Sequence, residues 1–96
     1  MTIKEALAAA NPDALLAEGL EAALIGYTIN THMPHVAVYD AKKCVDILVE
    51  RDGMTPQEAD EFLEFNTYCA YVGPNGPIYI YAGPDSLDPA AATGRR

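Results

Sequence analysis

Apolar residues recur along the chain in two rhythms, and each rhythm marks a different kind of element. From Thr2 to Glu18 the apolar positions Ile3, Leu7, Ala10, Ala14 and Leu15 fall at helical spacing with polar residues between them. Asn11-Pro12-Asp13 interrupts that run. Proline at a helix start needs no amide partner and asparagine can cap, so a short helix, a break and a second short helix ending near Gly19 are expected. Leu20–Asn30 is ambiguous. Ala22 to Ile25 suit a helix, whereas Gly26-Tyr27-Thr28-Ile29 favours extended backbone. A strand from about Ala23 to Ile29 is the expectation, with a helix left open, followed by a loop over Asn30–His35 in which Pro34 pushes Met33 out of the helical region.

The second half is more strongly punctuated. Val36-Ala37-Val38-Tyr39 reads as a short strand, and Asp40 can cap the helix that follows it. That helix runs from Ala41 to about Asp52, with Ala41, Cys44, Val45, Leu48 and Val49 inward, and Gly53 supplies a left-handed stop. Thr55-Pro56-Gln57-Glu58 is a capping box with proline at the first helical position. The helix it opens is expected to bury Ala59, Phe62, Leu63, Asn66 or Phe65, Cys69 and Ala70 before Gly73-Pro74 ends it. Ile78-Tyr79-Ile80-Tyr81 alternates strictly and reads as a strand with isoleucines on one face and tyrosines on the other.

These elements predict an α+β domain: a small antiparallel sheet of about three strands packed on a central helical hairpin, with additional N-terminal helices. Val36–Tyr39 and Ile78–Tyr81 are expected to pair antiparallel, with both central helices on one face. The chain divides into an N-terminal helical segment (1–19), an α+β core (20–83) and a flexible C-terminal tail (84–96).

Charge changes the picture of the surface. The 96 residues carry 14 acids against 6 bases, a net of −8. Two of the bases are the terminal Arg95 and Arg96, so residues 1–94 hold four bases against fourteen acids, a net of −10. Such a body lacks the basic footprint of a nucleic-acid binder and is repelled by anionic lipid. No apolar run is long enough to span a bilayer and no signal-peptide layout precedes the first helix, so a cytoplasmic protein is expected. The fold is expected to stand without disulfides, with Cys44 and Cys69 as buried thiols on helices.

Few residues suggest chemistry. His32 and His35 flank Met33-Pro34, which prevents a helix from holding both imidazoles on one face, and solvated loop histidines are the favoured reading. Asp40, Asp46, Glu50 and Asp52, with Glu58, Asp60, Glu61 and Glu64, give two acidic helix faces matching no calcium loop. Their functional reading is electrostatic, a ladder of carboxylates offered to a basic partner. Asn66 falls on the expected inner side of its helix, where a buried amide needs partners. Tyr39, Arg51 and Asn66 together are the candidates for a buried polar or ligand contact in a small-molecule or nucleotide binder. Tyr79 and Tyr81 on one strand face are the candidates for an aromatic interaction surface, together with Asp46, Glu50, Asp60, Glu61 and Glu64. The lone serine, Ser86, lies in the expected tail, and there is no phosphate loop, nucleophile elbow or zinc motif. A non-enzyme without cofactor or metal is therefore expected.

Val36-Ala-Val-Tyr-Asp40, Lys43-Cys44, Ile47-Leu48, Arg51-Asp-Gly-Met-Thr55, Glu58-Ala59, Glu64-Phe-Asn66, Ala70-Tyr-Val-Gly73 and Pro77 resemble a family of small bacteriophage and mobile-element proteins without assigned activity. The resemblance covers roughly residues 20–82. It implies a small accessory protein acting on a host or defence component. The charge of the body sharpens that expectation to a binder of a host or phage protein, as an inhibitor or decoy, without direct contact to nucleic acid or membrane. Homodimerisation through a strand edge is a further expectation for so small a sheet.

Overall fold

The structure is a computed structural model and describes residues 1–29, 32–68, 70 and 72–82. Helix α1 covers Ile3–Ala10. Thr2 and Glu5 close its start reciprocally: Glu5 N donates to Thr2 Oγ1 at 3.1 Å and Thr2 N donates to Glu5 Oε1 at 2.8 Å. The second short helix expected before Gly19 does not form, because other partners claim the backbone donors it needs. Asn11 Oδ1 accepts from Asp13 N as a helix cap would, but Leu15 N donates to Asn75 O and Ala17 N to Tyr39 Oη. The chain passes through one 3-10 turn, Glu21–Ala23, into strand β1, Leu24–Tyr27.

Strand β2 spans Ala37–Asp40 and runs directly into helix α2, Ala41–Asp52. Asp40 caps it as expected, accepting from Lys42 N at 2.9 Å. Gly53 ends it at φ 72°, the left-handed conformation that glycine adopts without strain. Helix α3, Pro56–Leu63, opens with the full capping box between Thr55 and Glu58. It then widens into a π-helical turn over Glu64–Tyr68, so the α-helix is shorter than the sequence pattern suggests. The wider turn sets the inward position five residues after Leu63, at Tyr68, which packs against the core. Asn66, expected inward, is consequently exposed. Strand β3 covers Ile78–Ile80.

The sheet has three strands in the order β1-β2-β3. β1 and β2 pair antiparallel with an irregularity at Ile25, and β2 and β3 pair parallel, with Val38 beside Ile78, Tyr39 beside Tyr79 and Asp40 beside Ile80. The sheet is therefore mixed, and the antiparallel pairing expected between the second and third strands is corrected. The reason lies at Asn11. Its Nδ2 donates to His35 O at 2.7 Å and to Asn75 Oδ1 at 2.9 Å, which holds the approach to β3 beside the approach to β2. Both strands must then start at the same end, and residues 41–77 form the crossover that a parallel pair requires.

The core gathers Leu7, Leu20 and Ala23, Ala37 and Tyr39 of β2, Cys44 and Leu48 of α2, and Ala59 and Leu63 of α3. α2 packs on β2, and α3 packs on α2. No helix among the described residues is long and apolar enough to cross a membrane. The expected C-terminal tail lies outside the described residues. Replacing Asn11 by Ala removes two tertiary hydrogen bonds and leaves the His35 carbonyl without this donor, so a loss of about 1–3 kcal/mol in urea denaturation is expected. The same variant should lose amide-exchange protection first in β3.

Candidate functional site

The elbow between α2 and α3 is fixed by local rules. Gly53 stops one helix, Thr55-Pro56 starts the next, and Met54 is left half-buried between them. Against this elbow lies a groove of about 450 Å³, lined by Asp52, Gly53, Met54, Glu58, Glu61, Phe62, Phe65 and Asn66. Ala59 and Leu63 take the inward positions of α3, which leaves Phe62 on its shoulder, 43% exposed, while the π turn carries Phe65 outward to 81% exposure. Two phenylalanines expected in or near the core thus stand in solvent beside three carboxylates. Asn66, at the end of the groove, donates from Nδ2 to Phe62 O at 3.0 Å.

The carboxylates differ in how far they are engaged. Asp52 accepts from Arg51 Nε and Nη2 at 3.1 and 3.2 Å, and this guanidinium holds its carboxyl below the ordinary value. Glu58 Oε1 accepts from Thr55 N at 2.9 Å, and Glu61 meets only the distant Gln57 amide at 3.5 Å. Elsewhere on the helices Asp46, Glu50, Asp60 and Glu64 are exposed, and Asp46 pairs with Lys42 at 2.8 Å. Two of the candidate acids therefore retain local partners in Lys42 and Gln57.

Tyr39, Arg51 and Asn66 do not converge. Tyr39 is buried, its hydroxyl accepts from Ala17 N at 2.8 Å, and its ring stacks on Tyr79 with centroids 5.6 Å apart. Arg51 lies across the C-terminal end of α2, donating from Nη1 to Gly19 O at 2.9 Å. Tyr79 faces inward between Tyr39 and Tyr68, and of the expected tyrosine surface only Tyr81 is exposed. The face of β3 turned to solvent carries Ile78 and Ile80.

His35 is not a solvated loop residue. Its Nδ1 lies against Thr28 O, its ring meets Tyr27 edge-on at 5.9 Å, and its carbonyl holds Asn11. His32 is exposed. Among the described residues no group of three or more histidine, cysteine or acidic side chains is placed to hold a metal ion. Cys44 is a buried free thiol, pushed up to about 11 by burial and then by Asp40. Burial likewise raises Tyr39 and Tyr68 and pushes Tyr79 up to about 12. Among the described residues the buried Tyr68 hydroxyl has no hydrogen-bond partner. Cys69 lies outside the described residues. Compared with known proteins, the chain matches no protein-family model, no curated protein and no solved structure.

The signal for the exposed aromatics was present but weak. Phe62 and Phe65 are three apart, and only one inward stripe, Ala59–Leu63, runs past them. The buried acids Cys44, Tyr39, Tyr68 and Tyr79 all ionise more readily in the unfolded chain. Their contribution to stability is complete below the ordinary values of 9.0 and 10.0 and is lost as pH rises towards 11 and 12. Urea midpoints measured from pH 8 upward should therefore fall first above about pH 9.

Proposed function

We propose that this protein is a non-enzymatic protein-binding module whose groove at the α2–α3 elbow grips a basic partner segment. The observation that carries the reading is Phe65, 81% exposed and set in one groove with Asp52, Glu58 and Glu61. A large aromatic ring left in water costs the free protein apolar burial that a partner can restore. Carboxylates around it favour a lysine or arginine, whose alkyl stem can lie on Phe62 and Phe65 while its cation meets Glu61. The partner class is thus a basic segment that also carries an apolar side chain. Bulk acidity of the folded body steers such a partner towards the groove.

The sequence resemblance supports a setting for this activity, a phage or mobile-element accessory protein that inhibits or decoys a host or defence component in the cytoplasm. A protein that ordinarily binds nucleic acid fits the required basic surface, and the net of −10 over residues 1–94 fits a decoy for phosphate.

The test is an NMR titration with a short peptide of arginine and leucine. Amide shifts should concentrate on Met54, Phe62, Phe65 and Asn66. Phe65→Ala should weaken binding at least about tenfold, as truncated aromatic anchors do, while leaving stability within about 0.5 kcal/mol. Glu61→Gln should weaken it less and flatten its dependence on salt. Shifts spread evenly over all acidic surfaces, or affinity unchanged in both variants, would overturn the reading.

A further inference from the structure

The acids of this chain are confined to part of its surface. Residues 22–39 and 65–84 contain no Asp, Glu, Lys or Arg, and these two stretches supply all three strands apart from Asp40. Alternation along β2 turns Ala37 and Tyr39 towards the helices and Val38 to the opposite face. The register sets Val38 between Gly26 and Ile78. On that outer face Ile78 and Ile80 are 41% and 39% exposed and a Cβ placed on Gly26 would meet nothing within 4 Å among the described residues, while Asp40, the register partner of Ile80, is buried and accepts from Lys42 N.

Among the described residues β3 is also an edge of the sheet. An edge strand presents unpaired backbone groups, and proteins usually guard it with a charged side chain, a bulge or a proline within the strand. Ile78-Tyr79-Ile80 is kept short, at three residues, and Pro77 directly precedes it, but the strand has no charge, bulge or proline of its own. An uncharged cleft of about 360 Å³, lined by Ala41, Tyr68, Pro77, Ile78, Tyr79 and Tyr81, runs beside the strand.

We infer that β3 is a self-association edge, at which two copies of this chain pair Ile78–Ile80 antiparallel across a two-fold axis and join their sheets. Two features select a second copy over another partner. Ile-Tyr-Ile reads the same in both directions, so an antiparallel pair centred on Tyr79 sets Ile78 of one copy opposite Ile80 of the other, on one continuous apolar face. Two bodies that each carry −10 over residues 1–94 can approach with least repulsion through a surface without charge. None of the residues lining the groove of Glu61 and Phe65 belongs to β3 or lines the cleft beside it, so the inference does not depend on what that groove binds.

Light scattering on the full chain tests it. The expected mass is twice the 10.3 kDa of one chain, with the dimer favoured by added salt because screening weakens repulsion between the bodies. Ile80→Lys should give the single-chain mass with an unchanged circular dichroism spectrum, and Phe65→Ala should remain dimeric. If Ile80→Lys fails to fold, Ile78→Cys/Ile80→Cys decides in its place: mild oxidation should link two copies covalently, while the chain without these cysteines stays unlinked. A wild-type chain of single mass at every concentration, a folded Ile80→Lys variant that still dimerises, or a cysteine variant that does not link would overturn the inference. Salt moves this association and the binding of a basic peptide in opposite directions, so failure of one is distinguishable from failure of the other.

Discussion

One amide side chain determines how the rest of the chain can be arranged. Asn11 ends α1, and its Nδ2 joins the carbonyl before β2 to the side chain of Asn75 before β3. That junction sets two strands side by side with the same direction. It also turns the residues after Asn11 across the sheet, where Ala17 N reaches the buried Tyr39 hydroxyl and Leu15 N reaches Asn75 O. The N-terminal segment is therefore not an appendage to the sheet. It supplies partners to polar groups of β2 and of the β3 approach that would otherwise be unsatisfied on folding.

The π-helical turn after α3 is the second constraint, and it acts in opposite directions on two aromatic residues. By adding a residue to the turn it brings the Tyr68 ring against the core and against Tyr79, with centroids 5.0 Å apart. By the same rotation it turns Phe65 into solvent. The inward move buries the Tyr68 hydroxyl, and burial raises its pKa. Wide turns of this kind are found mostly at functional sites. Here the turn builds one wall of the groove.

Local features of the fold were legible in the amino-acid sequence and distant ones were not. The bounds of α2 follow from Asp40 and Gly53, and the start of α3 follows from Thr55-Pro56-Gln57-Glu58, because caps are decided within four residues. The α+β class and a three-stranded sheet follow from the periodicity. The direction of β3 does not, since it rests on a contact between residues 11 and 75. The absent second N-terminal helix has the same origin: its donors are taken by Asn75 and Tyr39, which no window around Ala14 contains. At the groove, the acids are legible as types that avoid burial, whereas a 3.6-residue period sets Phe62 inward, with either Asn66 or Phe65, and the π turn abandons that period.

The junction at Asn11 also bears on the order in which the chain can fold. Asn11 and Asn75 are 64 positions apart, so the contact that directs β3 closes a loop holding most of the domain. β1, β2, α2 and α3 can form from neighbouring residues, but the sheet is completed only when its last strand is present. During synthesis the N-terminal segment must wait for residues near the other end of the chain, and until then β2 is itself an unprotected edge. Non-local closure of this kind slows folding relative to a helical bundle of equal length. The acidic helices that form first would keep the waiting chains apart in this interval, giving the negative charge a role in solubility before it has any in recognition.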